Sequence, residues 1–305
     1  MMEVSPYHGA LKVEAPAKVN LTLRVQGVRP DGYHDLESVV AAVALCDTIL
    51  VEPADELRLT CRGADVPAGE DNLVMVAARA LARECGVRAE ARIVLEKRIP
   101  AGRGFGGGSS DAAAALAGLN ALWHTDLGRG DLARLGATVG SDVPLFFGSP
   151  ISVMRGRGER IEPVAGRPPW RLVLAWPDFG LPTPDVYAAY DRMGGRPAGP
   201  RRGGNAADRP AATEILTRFG AAAREAREFL VNDLEPAAQA VRGGRMDVRA
   251  ILEAAGASAV GMTGSGSAYF ALADSQAEAR RIAEAARAAG ASADDTSILE
   301  VGHGK

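Results

Sequence analysis

The sequence predicts a two-domain α/β (α+β) protein, and three observations carry that expectation. The chain has 305 residues, 47% of them hydrophobic and 24% charged, enough to bury two ordinary cores. Its first half alternates strand-like and helix-like segments. A tryptophan-bearing strand, "WRLVLAW", then opens a second half that holds a glycine turn, an alternating strand and a charged helix.

Composition narrows the function classes. A formal net charge of −3 argues against a protein that coats nucleic acid. No apolar run approaches the roughly 20 residues needed to span a bilayer. The opening "MMEVSPYHGALKVEAPAK" lacks the charged-then-apolar build of a secretory signal. A cytoplasmic protein without a membrane or nucleic-acid partner is expected. Cys46, Cys61 and Cys85 have no CxxC spacing and read as small buried hydrophobes. His8, His34, His124 and His303 form no ligand pair, so no side-chain metal site is assigned.

Residues 13–25, "VEAPAKVNLTLRV", alternate after Pro16 and read as a half-buried strand. Val19, Leu21, Leu23 and Val25 fall on one face; Lys18, Asn20, Thr22 and Arg24 fall on the other. "RPDGYHD" supplies a turn, and "LESVVAAVALCDTILVE" carries strand-like β-branched runs. "DNLVMVAARALAREC" reads as an amphipathic helix capped by Asp71 or Asn72 and closed by Gly86. "AEARIVLEKRIP" is a strand ended by Pro100. After the glycines comes a helix with Leu116, Leu119, Leu122 and Trp123 on or near one stripe. "DLARLGATVG" is a short helix leading into "SDVPLFFG". The Gly-, Pro- and Arg-dense stretch 191–210 reads as a surface loop or insertion. "AVGMTGSGSAYFALA" is a glycine turn and strand, and a helix spans 275–289.

The stretch "IPAGRGFGGGSSDAAAALAGLNALW" sets flexible backbone directly ahead of a strong helix former. It lacks the lysine of GxxxxGKS or GxxxxGKT, so it is not a P-loop. Gly102, Gly104 and Gly107 fit GxGxxG literally. However, Pro100 interrupts the tight strand-to-helix turn that a dinucleotide fingerprint needs, and Asp126 follows the helix with no second strand to cap. The chemistry survives both failures. Glycines let backbone approach a ligand, Ser109 or Ser110 is placed to cap the helix, and the first-turn N–H groups form an anion site.

"PAKVNLTLRVQGVRPDGYHDLESVV", the glycine stretch and "GMTGSGSAYF" together resemble the three motifs of the GHMP small-molecule kinases. The resemblance covers most of the chain. It implies the two-domain GHMP kinase fold, with a ribosomal S5 domain 2-like N-terminal half and a ferredoxin-like α+β C-terminal half. The expected domains are 1–165, binding ATP, and 166–305. The paired "RPDGYHDLES" and "GSDVPLFF" elements are similar to those of members that phosphorylate the 2-hydroxyl of a cytidylyl-linked methylerythritol in the non-mevalonate isoprenoid pathway. ATP is then the co-substrate, with Mg2+.

The resemblance assigns catalysis to Lys18 and Asp142. Their chemistry agrees: a carboxylate can accept the proton of a tertiary alcohol, and a lysine can offset developing charge. It assigns ATP binding to Pro100, Ala101, Gly102, Arg103, Gly104, Phe105, Gly106, Gly107, Gly108, Ser109 and Ser110. Asn20, Tyr33, His34, Thr183 and Tyr187 fall at substrate-binding positions, with Tyr33 and His34 as a cytosine-recognising pair. Gly264, Ser265 and Gly266 form a turn expected to close over the phosphates. Phe105 stands where leucine is more common, and Arg103 adds a charge that either neutralises phosphate or faces solvent. Three readings remain beside the main one: a homoserine or mevalonate type of GHMP kinase, a Rossmann oxidoreductase, and a silent nucleotide sensor.

Overall fold

The computed structural model describes residues 2–64, 66–195 and 211–300. In the first half, β1 (Val4–Tyr7), β2 (Ala10–Asn20), β3 (Arg24–Val28), β4 (His34–Glu52) and β5 (Arg58–Arg62) precede α1 (Leu73–Cys85). Then come β6 (Arg92–Glu96), α2 (Gly107–Leu122), α3 (Arg129–Val139), a 3-10 turn (Val143–Phe147), β7 (Ile151–Gly156) and β8 (Arg160–Pro163). The second half holds β9 (Arg171–Trp176), α4 (Thr183–Arg192), α5 (Glu235–Arg242), α6 (Val248–Ala254), β10 (Ala259–Met262), β11 (Tyr269–Ala273), α7 (Gln276–Ala288) and β12 (Ser292–Ser297).

The 19-residue β4 is the spine of the first sheet. One edge pairs with β2 and then β3; the other pairs with β6 and then β7. The second sheet runs β10-β11-β9-β12 and is antiparallel throughout. Among the described strands only β5 and β6 pair in parallel. That excludes the doubly wound parallel sheet of a dinucleotide-binding oxidoreductase.

Local chemistry explains most element ends. Asn72 Oδ1 accepts from Val74 N–H, and Gly86 closes α1 in the left-handed region at φ 65°. α2 departs from expectation twice. Its cap is Gly106 at φ 69°, and Ser110 N–H already donates to Gly106 O at 3.0 Å, so both serines lie inside the first turn. The helix also has no single apolar stripe: every residue from Ser110 to Leu119 is buried. Small side chains permit this. A Cβ on Gly118 would come within 3.2 Å of Val51 and 3.3 Å of Val13. α2 is a central helix, packed on β2, β4 and α1.

The expected strand 13–25 is two strands. β2 stops at Asn20, and β3 resumes on the same edge of β4. Its alternation is right, but both faces are buried: the second half packs on the apolar side and also meets Asn20 and Arg24 on the polar one. Leu23 N–H donates to Val231 O at 2.7 Å, and Arg24 pairs with buried Asp233 at 3.1 Å. A core of residues such as Val19, Leu21, Leu172, Leu174 and Phe270 is therefore common to both sheets. Of the stretch 191–210, Asp191 and Arg192 end α4 rather than opening a loop, and residues 196–210 lie outside the described residues.

Leu116 is fully buried in the core between α2 and the sheet. Leu116→Ala is expected to lower unfolding free energy by about 2–5 kcal/mol, read from the urea midpoint.

Candidate active site

β2 delivers Lys18 and Asn20 two residues apart on one face, and the structure buries both. Lys18 Nζ donates to Asn20 Oδ1 at 2.6 Å and lies 3.8 Å from Asp142 Oδ2. Burial pushes the Lys18 ammonium down, and Asp142 opposes that shift. Asp142 precedes the 3-10 turn, but its side chain makes no capping hydrogen bond there. Its carboxylate is 29% exposed, facing the cleft with Lys18 as its charged neighbour.

Asn20 joins the distant segments. Its Oδ1 accepts from Gly264 N–H at 2.9 Å, its N–H donates to Thr263 Oγ1 at 3.1 Å, and its Nδ2 donates to Ser38 Oγ at 2.8 Å. Lys18 N–H donates to Phe105 O at 2.9 Å, which draws the glycine loop onto the same strand. Glycine is required at two points in the loop. A Cβ on Gly104 would sit 2.4 Å from Thr263 O, and one on Gly106 would sit 2.9 Å from Lys18 Cγ. Both also hold positive φ, at 91° and 69°.

Two cavities meet at Gly104, Gly106 and Thr183. One, of about 620 Å³, is bounded by the loop from Pro100 to Ser109 and by Asn72, Lys97 and Asp111. The other, of about 300 Å³, is lined by Lys18, Asn20, Asp142, Arg157, Tyr187 and Ser265, among others. Thr183 Oγ1 and Ser265 Oγ lie 2.8 Å apart between them. Ser110 Oγ is buried without a hydrogen-bond partner in the first turn of α2.

Several expected residues sit differently from a simple reading. Phe105 turns its ring into the core, edge-on to Trp176 at 5.8 Å, so only its backbone borders the loop cavity. Arg103 lines the loop cavity, and its guanidinium is tied to backbone carbonyls. It donates to Pro177 O at 3.2 Å and Asp178 O at 2.7 Å, clamping the loop to the second half. Tyr33 and His34 differ in exposure, because the chain enters β4 between them. Tyr33 is 55% exposed beneath the Arg157 guanidinium at 3.8 Å, whereas His34 is buried. The aromatic partner of His34 is Tyr187, at 4.8 Å between ring centres. Burial, with Asp142 nearby, pushes the Tyr187 hydroxyl upward.

Sequence reasoning missed a buried ionic cluster under the loop. Lys97 Nζ donates to Asp47 and, at 2.7 Å, to Asp111 Oδ2, while Ile99 N–H donates to Asp47 Oδ1 at 2.8 Å. Burial works against the Lys97 ammonium, yet the two carboxylates outweigh it and its pKa rises. Burial pushes the Asp111 carboxyl up to about 7. The signal was present: a lysine directly ahead of the loop and an aspartate directly after its serines.

A glycine cradle beside a lysine–aspartate pair, set between an eight-stranded and a four-stranded sheet, defines the class as GHMP kinases. Residues 72–149 match the GHMP kinases N terminal domain, and residues 211–292 match the GHMP kinases C terminal. A 4-diphosphocytidyl-2-C-methyl-D-erythritol kinase of Rhodococcus jostii (strain RHA1) is 44% identical over 281 residues, 90% of this chain and 88% of that protein. A crystal structure of 4-(cytidine 5'-diphospho)-2C-methyl-D-erythritol kinase superposes with a TM-score of 0.77 at 38% identity, covering 95% of this chain and 100% of that one. Homoserine kinase from Cytophaga hutchinsonii shares the fold alone, at a TM-score of 0.67 and 19% identity over 98% of each chain. The chain belongs to the 4-diphosphocytidyl-2-C-methyl-D-erythritol kinase family. Among the described residues no helix is long and apolar enough to cross a membrane.

Lys97→Ala leaves two buried carboxylates unpaired and is expected to cost about 3–5 kcal/mol of stability in urea unfolding. Asp111 has a pKa of 3.8 unfolded and about 7 folded, so the folded state binds the extra proton in that window. Its contribution is therefore present at low pH and lost as pH rises from about 4 to about 7. Asp111→Asn is expected to remove that part of the slope of stability against pH.

Proposed function

We propose that the chain transfers the γ-phosphoryl group of ATP to the 2-hydroxyl of 4-diphosphocytidyl-2-C-methyl-D-erythritol. The observation that carries this reading is the meeting of the two cavities at Gly104, Gly106 and Thr183, with Lys18 and Asp142 beside the junction. A donor in the larger cavity and an acceptor alcohol in the smaller one would bring their reacting ends together there. The halves divide between Pro163 of β8 and Arg171 of β9, which supports domains of 1–165 and 166–305.

In this reading the tertiary hydroxyl oxygen attacks the γ-phosphorus. The new O–P bond forms as the bond to the bridging oxygen breaks, and ADP leaves with that electron pair. Asp142 accepts the hydroxyl proton, its carboxylate free because no capping bond occupies it. Lys18, held by Asn20 at 2.6 Å, supplies fixed positive charge beside the developing alkoxide and the transferring group. The backbone N–H groups of Gly107, Gly108 and Ser109 at the start of α2, together with the loop from Pro100 to Gly106, cradle the phosphates. Gly264, Ser265 and Gly266 close over them, and Thr183, Tyr187, His34 and Asn20 orient the acceptor. Tyr33, on the outer side with Arg157, belongs to the rim.

The donor set also fits Mg2+. The unpartnered Ser110 hydroxyl and the neighbouring Ser109 are oxygen groups at the anion cradle. Magnesium would neutralise phosphate charge there. Among the described residues no cluster of three His, Cys, Asp or Glu could hold a metal ion, so the phosphates themselves would complete its shell.

Asp142→Asn is expected to lower kcat about 10²- to 10⁴-fold while ATP affinity changes little, measured by steady-state kinetics and calorimetry. Unchanged turnover would remove Asp142 from the role of base. Turnover of homoserine or mevalonate in place of the cytidylyl alcohol would overturn the substrate.

A further inference from the structure

The late glycine turn holds one peptide whose orientation is set from behind. Thr263 O accepts from Gly266 N–H at 3.1 Å, so residues 263–266 form a four-residue turn. That bond leaves two groups of the central peptide unused, the Gly264 carbonyl and the Ser265 N–H. Asn232 takes the first. Its Nδ2 donates to Gly264 O and to Met262 O, each at 2.9 Å, while its Oδ1 accepts from Leu234 N–H at 3.0 Å. Two acceptors on one side of the amide and a donor on the other fix which atom is the nitrogen. Asn232 is buried just ahead of α5, and the main chain around it is anchored. Leu23 N–H donates to Val231 O at 2.7 Å, and Asp233 N–H donates to Leu23 O at 2.9 Å.

A trans peptide is planar, with its N–H directed opposite to its C=O. With the Gly264 carbonyl drawn back to Asn232, the Ser265 N–H is turned the other way. Gly264 and Ser265 both line the smaller cavity, with Lys18 and Asp142, whereas Asn232 lines neither cavity. Among the described residues no group accepts from the Ser265 N–H. We infer that Asn232 is a positioning residue: by holding the Gly264 carbonyl behind the turn, it aims the Ser265 N–H at the junction of the two cavities, as a donor to the γ-phosphoryl group. A donor fixed in advance needs no reorganisation as charge moves among the phosphoryl oxygens. The inference rests on the proposed phosphoryl transfer and adds to it a backbone donor from the second half.

Two measurements on the full chain test it. Asn232→Ala frees the Gly264 carbonyl. It is expected to weaken binding of the non-hydrolysable β,γ-imido analogue of ATP about tenfold in calorimetry, with ADP affinity kept. In steady-state kinetics kcat should fall about tenfold or more, with KM for the alcohol unchanged. A merely structural role would lower the melting temperature and leave the ratio of the two nucleotide affinities alone, so an unchanged ratio overturns the inference. The second measurement uses wild-type protein and stands even where Asn232→Ala does not fold. In NMR of protein labelled with 13C-glycine and 15N-serine, the Ser265 amide is identified by its loss in Ser265→Ala. It is expected to shift on adding the imido analogue with Mg2+, and much less with ADP and Mg2+; equal shifts, or none, overturn the inference. If wild-type protein binds both nucleotides but phosphorylates no cytidylyl alcohol, the proposed substrate falls, and the nucleotide measurements still decide the role of Asn232.

Discussion

Asn20 is the point on which the site depends. Its backbone and amide groups reach Lys18, Ser38, Thr263 and Gly264, so a single side chain holds the strand that carries the lysine against the late glycine turn. The turn in turn holds the loop, since Thr263 Oγ1 lies 3.2 Å from Gly104 O. Three segments separated by scores of residues thus share one hydrogen-bond network in a buried setting. There a satisfied network confers rigidity, and a broken one leaves costly unpaired groups. Everything the site does chemically follows from that rigidity.

Rigidity here serves electrostatics. An ammonium buried as deeply as Lys18 is unfavourable alone; Asn20 and Asp142 make it tolerable while leaving its charge available to an incoming anion. The Asp47–Lys97–Asp111 cluster works differently. Its charges are spent on one another, tying the ends of β4 and β6 to the start of α2. Each buried lysine borders one of the two cavities, Lys18 beside one carboxylate and Lys97 between two. The difference lies in how many carboxylates surround each.

Much of this was legible in the sequence. The caps of α1, the alternation of β2, the glycine-led start of α2 and the juxtaposition of Lys18 with Asp142 all follow from residue patterns or from the family's motifs. What escaped was set by tertiary cover. Alternation cannot say whether a polar face meets water or a second domain, so the burial of Thr22 and Arg24 was invisible. The serines looked like caps because the glycine ahead of them could enter the helix a turn early. The different exposure of Tyr33 and His34 was hidden because a turn sequence does not mark where the strand begins. Asp191 was lost in a stretch whose composition resembled a loop.

Arg103 gives the clamp between loop and second half a wider meaning. Its side chain grips Pro177 O and Asp178 O, and its carbonyl accepts from Ala268 N–H at 3.2 Å. The glycine loop belongs by sequence to the first half but is anchored by the second. The two halves are therefore not exchangeable modules. A chimera joining this first half to the second half of a relative keeps the loop's anchor only where that backbone follows the same path at the positions of Pro177, Asp178 and Ala268. Recombination within such a fold is constrained at this seam more than at the chain's formal boundary.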